Sequence, residues 1–388
     1  MNGKERGRAY DLGAAFFGWL SEKIPAAIAV LLDIPDRMAQ SFSVERSASR
    51  LRHPANERVS MNTQSPLSDI SFHFVEANGI RIRLATAGEA GPLVLLVHGW
   101  PESWFSWRHQ IRALAEAGYR VVAPDMRGYG STDAPPAVED YDIRQLAGDV
   151  VGILDALGEE TALLVGHDWG AIVAWHTALL YPHRFSGLVA MSVPYRGRPS
   201  RPDDEAWKQK FADRFFYVLY HQTPGVAEVE YDADPYGLLL RLYQSPGAPR
   251  EAPEITDRHY KAGGWIKRLG KPKGLPDWLS QEELDYFTEE LQRAGFRGGL
   301  NYYRNLRRNW EITTELEGAI VEMPTLFIGG AGDSVLAGAT REQLVDTLGT
   351  VCQDLRDVVL LPEAGHWIQQ ERPQEVNAAL LQFVRALG

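Results

Sequence analysis

The chain has 388 residues, 45% of them hydrophobic, enough for one large core or for a core carrying an inserted cap. Its net charge of −11 comes from interspersed acidic and basic residues with no basic stripe, which argues against a nucleic-acid partner. Cys352 is the only cysteine, so an internal disulfide and cysteine-based metal sites are excluded, and the composition fits a soluble cytoplasmic protein.

In chain order, residues 1–66 read as an N-terminal extension and linker. Leu12, Ala15, Phe16, Trp19 and Leu20 share one helix face, and Pro25 interrupts the pattern before a second apolar run, 26–32. A secretory signal would keep one unbroken apolar core, so the segment is not read as one. A loosely attached extension is favoured over one that lies on a membrane surface. Residues 41–66 are polar and charged like a linker, and Met61 is an alternative start. No stretch approaches the roughly 18 consecutive apolar residues of a membrane-spanning helix.

The pattern changes at Ile70. Strands over 70–75 and 80–86, joined through Asn78-Gly79, predict a hairpin. Buried strands are predicted at 92–97, 119–123, 161–165 and 187–192, with helices over 103–117, 143–157 and 171–180. This alternation predicts an α/β fold, a mostly parallel sheet flanked by helices. After Pro194 the rhythm stops for more than a hundred residues, with helical patterns over 205–220 and 281–294. It returns with strands at 324–328 and 358–361 and a last helix over 373–387. The economical division is a core of 67–194 and 311–388, with a mainly helical cap of 195–310 inserted.

Gly166-His167-Asp168-Trp169-Gly170 joins a predicted buried strand to a predicted helix, where a tight turn exposes the central side chain above the sheet. In the esterase version of this turn the central residue is Ser; here it is Asp168. A carboxylate with an unperturbed pKa of about 3.9 is ionised at neutral pH and needs no base to activate it. Its attack on an ester would give a high-energy anhydride. Attack on a strained or activated sp³ carbon gives an ordinary alkyl ester, which water can cleave with the help of a base and an oxyanion hole. Epoxides and alkyl halides are such substrates. His366, in Gly365-His366-Trp367, is the candidate base, and Asp333, after the strand at 324–328, is its orienting acid. His98-Gly99-Trp100-Pro101 aims the Trp100 backbone N–H into the site beside that of Trp169, as an oxyanion hole. His98 itself is read as structural, as is the glycine-rich loop 125–131. Residues 264–271 match a phosphate loop only superficially, and no metal motif is present.

Together, His98-Gly99-Trp100-Pro101, Gly166-His167-Asp168-Trp169-Gly170 and Gly365-His366-Trp367 resemble soluble and bacterial epoxide hydrolases of the α/β-hydrolase fold, over residues 68–387. Haloalkane dehalogenases share the Asp turn, and the cap separates the two. Phe216 to Gly225 is similar to the family segment with a tyrosine seven residues before a Pro-Gly pair, here Tyr217. Gly295 to Asn305 is similar to the second tyrosine segment, where the tyrosine directly precedes Arg-Asn, here Tyr303 rather than Tyr302. His221 departs from the pattern, standing where Phe is common. Two phenols with pKa about 10 suit an epoxide oxygen, since both are protonated donors at neutral pH. The resemblance implies a diol product, catalysis by Asp168, His366, Asp333, Tyr217 and Tyr303, and substrate contacts from Trp100, Trp169 and the two tyrosines. It implies an epoxide and water as partners and no cofactor or metal. The alternatives are a haloalkane dehalogenase and a non-catalytic binding protein of the same fold.

Overall fold

The computed structural model describes residues 69–387, so the readings of the extension, the linker and Met61 lie outside the described residues. Eight strands form one sheet: β1 (Ser71–Ala77), β2 (Ile80–Ala87), β3 (Leu93–Val97), β4 (Arg120–Pro124), β5 (Ala162–His167), β6 (Phe185–Met191), β7 (Thr325–Gly330) and β8 (Leu355–Leu361). Their order is β1-β2-β4-β3-β5-β6-β7-β8. The first two pair antiparallel, β2 is antiparallel to β4, and every later pairing is parallel. Asn78 and Gly79 both have positive φ, 46° and 76°, as a two-residue type I′ hairpin turn needs.

β3 and β5 are buried along their whole lengths, which is why their sequences are continuous apolar runs rather than alternating ones. Two helix pairs flank the sheet. Arg108–Glu116 packs with Pro373–Arg385, and Ile143–Leu157 with Trp169–Leu180. The helix Ile143–Leu157 starts where the Asp142 side chain accepts the Arg144 and Gln145 amides, both at 3.0 Å, and stops at Gly158 with φ 71°. Its buried Ile143, Leu146, Val150, Ile153 and Leu154 fall at helical spacing, each aliphatic side chain contributing about 1.5–3 kcal/mol on burial.

Between β6 and β7 the chain leaves the sheet and builds seven helices, Asp203–Phe211, Tyr217–Tyr220, Val226–Ala233, Pro235–Leu242, Gln281–Ala294, Arg297–Arg304 and Leu306–Ile312. Two expectations need correction. The helical pattern over 205–220 is two helices. Ala212 breaks it with φ 43°, and the Phe215 amide donates instead to the Arg258 carbonyl at 2.7 Å, a partner no local pattern reveals. The last helix runs through residue 310, so a boundary there divides one element. The insertion is tied to the core by Tyr243 Oη donating to the Pro101 carbonyl (2.6 Å), and by Arg83 on β2, which bridges Asp125 of the core and Glu290 of the insertion. Among the described residues, no helix is long and apolar enough to cross a membrane.

Candidate active site

Asp168 stands between β5 and the helix Trp169–Leu180 with φ 53° and ψ −118°. A non-glycine residue there stores on the order of 1–3 kcal/mol of strain, sustained by the surrounding packing. The flanking glycines have a steric cause. A Cβ at Gly166 would run into the Gly170 carbonyl, and one at Gly170 into the Val97 carbonyl. Both contacts are with backbone, which has little freedom to yield. Gly170→Ala is therefore expected to cost about 3 kcal/mol or more, measured by denaturant unfolding; wild-type stability would show that the turn has room to spare.

Gly99 lets the neighbouring loop approach equally closely, since a Cβ there would lie 2.5 Å from Asp168 Cβ. That approach brings the Trp100 N–H to Asp168 Oδ1 at 2.8 Å. The Trp169 N–H, the first of the following helix, makes no hydrogen bond to this carboxylate. His366 lies on the loop after β8. Its Nε2 is 3.4 Å from Asp168 Oδ2, and its Nδ1 donates to Asp333 Oδ2 at 2.8 Å. Asp333 is buried, and its other oxygen accepts the Val335 amide at 2.8 Å. Burial opposes charge on His366, but the carboxylates of Asp333 and Asp168 outweigh it and hold its pKa well above the usual histidine value. The tertiary structure thus brings Asp168, Asp333, His366 and the Trp100 amide together.

Tyr217 and Tyr303 come from two different helices of the insertion, with ring centroids 6.1 Å apart and planes nearly perpendicular. The Tyr303 ring meets Trp169 at 5.0 Å and Trp100 at 5.7 Å, both edge to face. Gln222 joins the two segments by donating to the carbonyls of Val218 (3.0 Å) and Tyr303 (2.9 Å). Burial first, and the Asp168 charge second, push both phenols above the usual tyrosine value, so both keep their protons. Their neighbours are engaged elsewhere. Tyr302 Oη donates to the Arg127 carbonyl (3.1 Å), and Tyr220 Oη to Glu230 (3.1 Å). His221 packs among Trp100, Tyr217 and Tyr303, with ring centroids 5.1, 5.5 and 4.6 Å away. Burial drives its pKa well below the usual value, and its Nε2 pairs with Tyr231 Oη at 2.9 Å.

His98 is structural by its bonds: Nδ1 donates to the Gly99 carbonyl (2.9 Å), and Nε2 accepts the Met126 amide (3.0 Å). In the loop 125–131, Asp125 accepts from Arg83, Trp104 and Ser131, tying the loop to β2. The amides of Trp265 and Ile266 donate to Glu230, so a carboxylate already occupies that stretch of the phosphate-loop mimic.

Sequence reasoning missed Glu102 and His167. Both are fully buried and paired, Nδ1 to Oε2, at 2.9 Å. Glu102 also accepts the Gly99 amide (2.7 Å) and Gln369 Nε2 (2.9 Å), while His167 Nε2 donates to the His366 carbonyl (2.8 Å). Burial opposes the Glu102 charge, but His167, His98 and the Gly99 amide hold its pKa at about 2. One buried pair thus fastens the Trp100 loop to the His366 loop. The only signal was position, His167 inside the Asp168 motif and Glu102 directly after His98-Gly99-Trp100-Pro101, where each reads as a neighbour of a functional residue.

A family model described as the alpha/beta hydrolase fold matches residues 92–373, and the chain belongs to that family. Epoxide hydrolase A of Mycobacterium tuberculosis is 46% identical over 316 residues, 81% of this chain and 97% of that protein. Epoxide hydrolase 3 of Siraitia grosvenorii is 39% identical over 324 residues, 82% of this chain and 99% of that protein. The crystal structure of epoxide hydrolase A from Mycobacterium thermoresistibile superposes with a TM-score of 0.74 at 48% identity, covering 81% of this chain and 98% of that one. Within the α/β-hydrolases, the chain belongs with the epoxide hydrolases.

Proposed function

We propose that the chain hydrolyses an epoxide to a vicinal diol through an alkyl ester on Asp168. The observation that carries this is the division of labour between the two carboxylate oxygens. Oδ1 is held by the Trp100 N–H at 2.8 Å, and Oδ2 lies 3.4 Å from His366, with the Tyr217 and Tyr303 phenols near enough to feel the Asp168 charge. Oδ2 attacks a ring carbon, the carbon–oxygen bond of the ring breaks, and the ring oxygen takes a proton from the hydroxyls of Tyr217 and Tyr303. The ester carbonyl oxygen is then Oδ1, already in a donor pocket that the Trp169 N–H completes as negative charge develops.

His366, oriented by Asp333, takes a proton from water, which attacks the ester carbonyl carbon. Esterification prepares it for this step. It removes the Asp168 charge, one of the two carboxylates that raise the His366 pKa, so the imidazole becomes easier to deprotonate after the first step than before it. Collapse of the tetrahedral intermediate passes the second proton of the water to the departing oxygen, releasing the diol and restoring the carboxylate, and the proton held by His366 replaces the one the tyrosines gave up. The partners are a small epoxide and water, the insertion acts as the cap carrying the proton donors, and the scheme uses no cofactor.

A panel of epoxides and chloroalkanes tests the proposal, with diol and halide assayed separately. Diol from styrene oxide or an aliphatic epoxide, with no halide release, is expected. Halide without diol would make the chain a dehalogenase, and no turnover of either would make it a binding protein.

A further inference from the structure

His366 lies on the loop between β8 and the helix Ile368–Glu371, outside any regular element that would hold its backbone. The structure supplies several anchors. The His366 carbonyl accepts both His167 Nε2 (2.8 Å) and Ser192 Oγ (2.9 Å). The amides on either side of it are taken by one carboxylate. Gly365 N–H donates to Glu371 Oε2 at 2.9 Å, and Trp367 N–H to Glu371 Oε1 at 3.0 Å. Glu371 ends the short helix Ile368–Glu371 that follows the base, so the side chain turns back onto the loop that leads into its own helix. The fit is close. A Cβ at Gly365 would meet Glu371 Oε1 at 2.7 Å and Pro246 Cδ, from the insertion, at 2.8 Å, so only glycine leaves room for the carboxylate. A neutral side chain cannot reproduce the arrangement, because two N–H donors converge on two acceptor oxygens.

We propose that Glu371 is a positioning residue for the base, clamping the Ala364–Gly365 and His366–Trp367 peptide groups on either side of it so that the His366 Nε2 stays aligned on the water that cleaves the ester. The proposal rests on the two-step scheme above, and it assigns Glu371 to the second step only, since Asp168 attacks without the base.

Rapid mixing of wild type, His366→Gln, Glu371→Gln and Glu371→Ala with excess styrene oxide, followed by intact-mass analysis and diol assay, separates the steps. Glu371→Gln keeps the size of the side chain but sets an NH₂ group against one of the two amides. Its ester formation is expected to stay within about twofold of wild type, while ester breakdown slows about 10- to 100-fold and the adduct accumulates. Glu371→Ala should be at least as slow; if it fails to fold, Glu371→Gln carries the test alone. Breakdown at the wild-type rate in Glu371→Gln, or an equal fall in both steps, overturns the proposal. Absence of any adduct in His366→Gln would instead remove the covalent scheme on which it rests.

Discussion

His366→Gln should take up one equivalent of epoxide and then stop. The Asp168 carboxylate is a nucleophile without assistance, because its oxygens are positioned by the Trp100 amide and by the turn itself rather than by the histidine alone. Water is not a nucleophile at neutral pH without a base, so the ester formed in the first step should persist. Intact-mass spectrometry is expected to show one added substrate mass, mapped by peptide digestion to the segment containing Asp168, and Asp168→Ala should give neither adduct nor diol. In the wild-type enzyme, the rate of ester breakdown should rise with pH and level off, because the base works only when deprotonated. The sign follows from the Asp333 carboxylate, which still favours the protonated imidazole after esterification has removed the Asp168 charge. A His366→Gln variant that turns over normally, or an adduct on another residue, would falsify the covalent scheme in favour of direct attack by water on the ring.

The second large effect is expected at the two tyrosines. Tyr217→Phe and Tyr303→Phe each delete one hydroxyl that is most valuable as the alkoxide forms, and each should cost about 2–4 kcal/mol of transition-state stabilisation, or ~30- to ~1000-fold in kcat. The double variant should be nearly inactive while still folded. Tyr302→Phe and Tyr220→Phe are the matched controls. Their hydroxyls are committed to the Arg127 carbonyl and to Glu230, so loss of either should lower stability by about 1 kcal/mol and leave the chemistry in place. If the controls lose turnover and the other pair keeps it, the proton donors have been assigned one turn too early or one residue too late in their helices. Stopped-flow measurement of ester formation distinguishes the outcomes, because the proton donors act before the ester exists.

Much of the chemistry was already written in short segments. Gly166-His167-Asp168-Trp169-Gly170 specifies its own backbone, because the two glycines are forced by carbonyls of Gly170 and Val97 that any such strand-to-helix turn brings near. An Asp in that turn selects the class of electrophile by its ionisation alone. The strands and the longest helices were legible for the same reason: apolar periodicity, the Asn78-Gly79 turn and the residues that bound the helix Ile143–Leu157 are local signals.

What the tertiary structure decided are the partnerships across long stretches of chain. Adjacent tyrosines such as Tyr302 and Tyr303 are alike in sequence, and they differ only because successive helical residues point about 100° apart, which sends one to the Arg127 carbonyl and leaves the other facing Asp168. The break at Ala212 likewise depends on the Arg258 carbonyl, and the linkage of Glu102 through His167 to the His366 carbonyl joins three separate segments. A buried polar group must find a partner somewhere, but which one it finds is set by how the sheet and the insertion pack, and no local pattern encodes that.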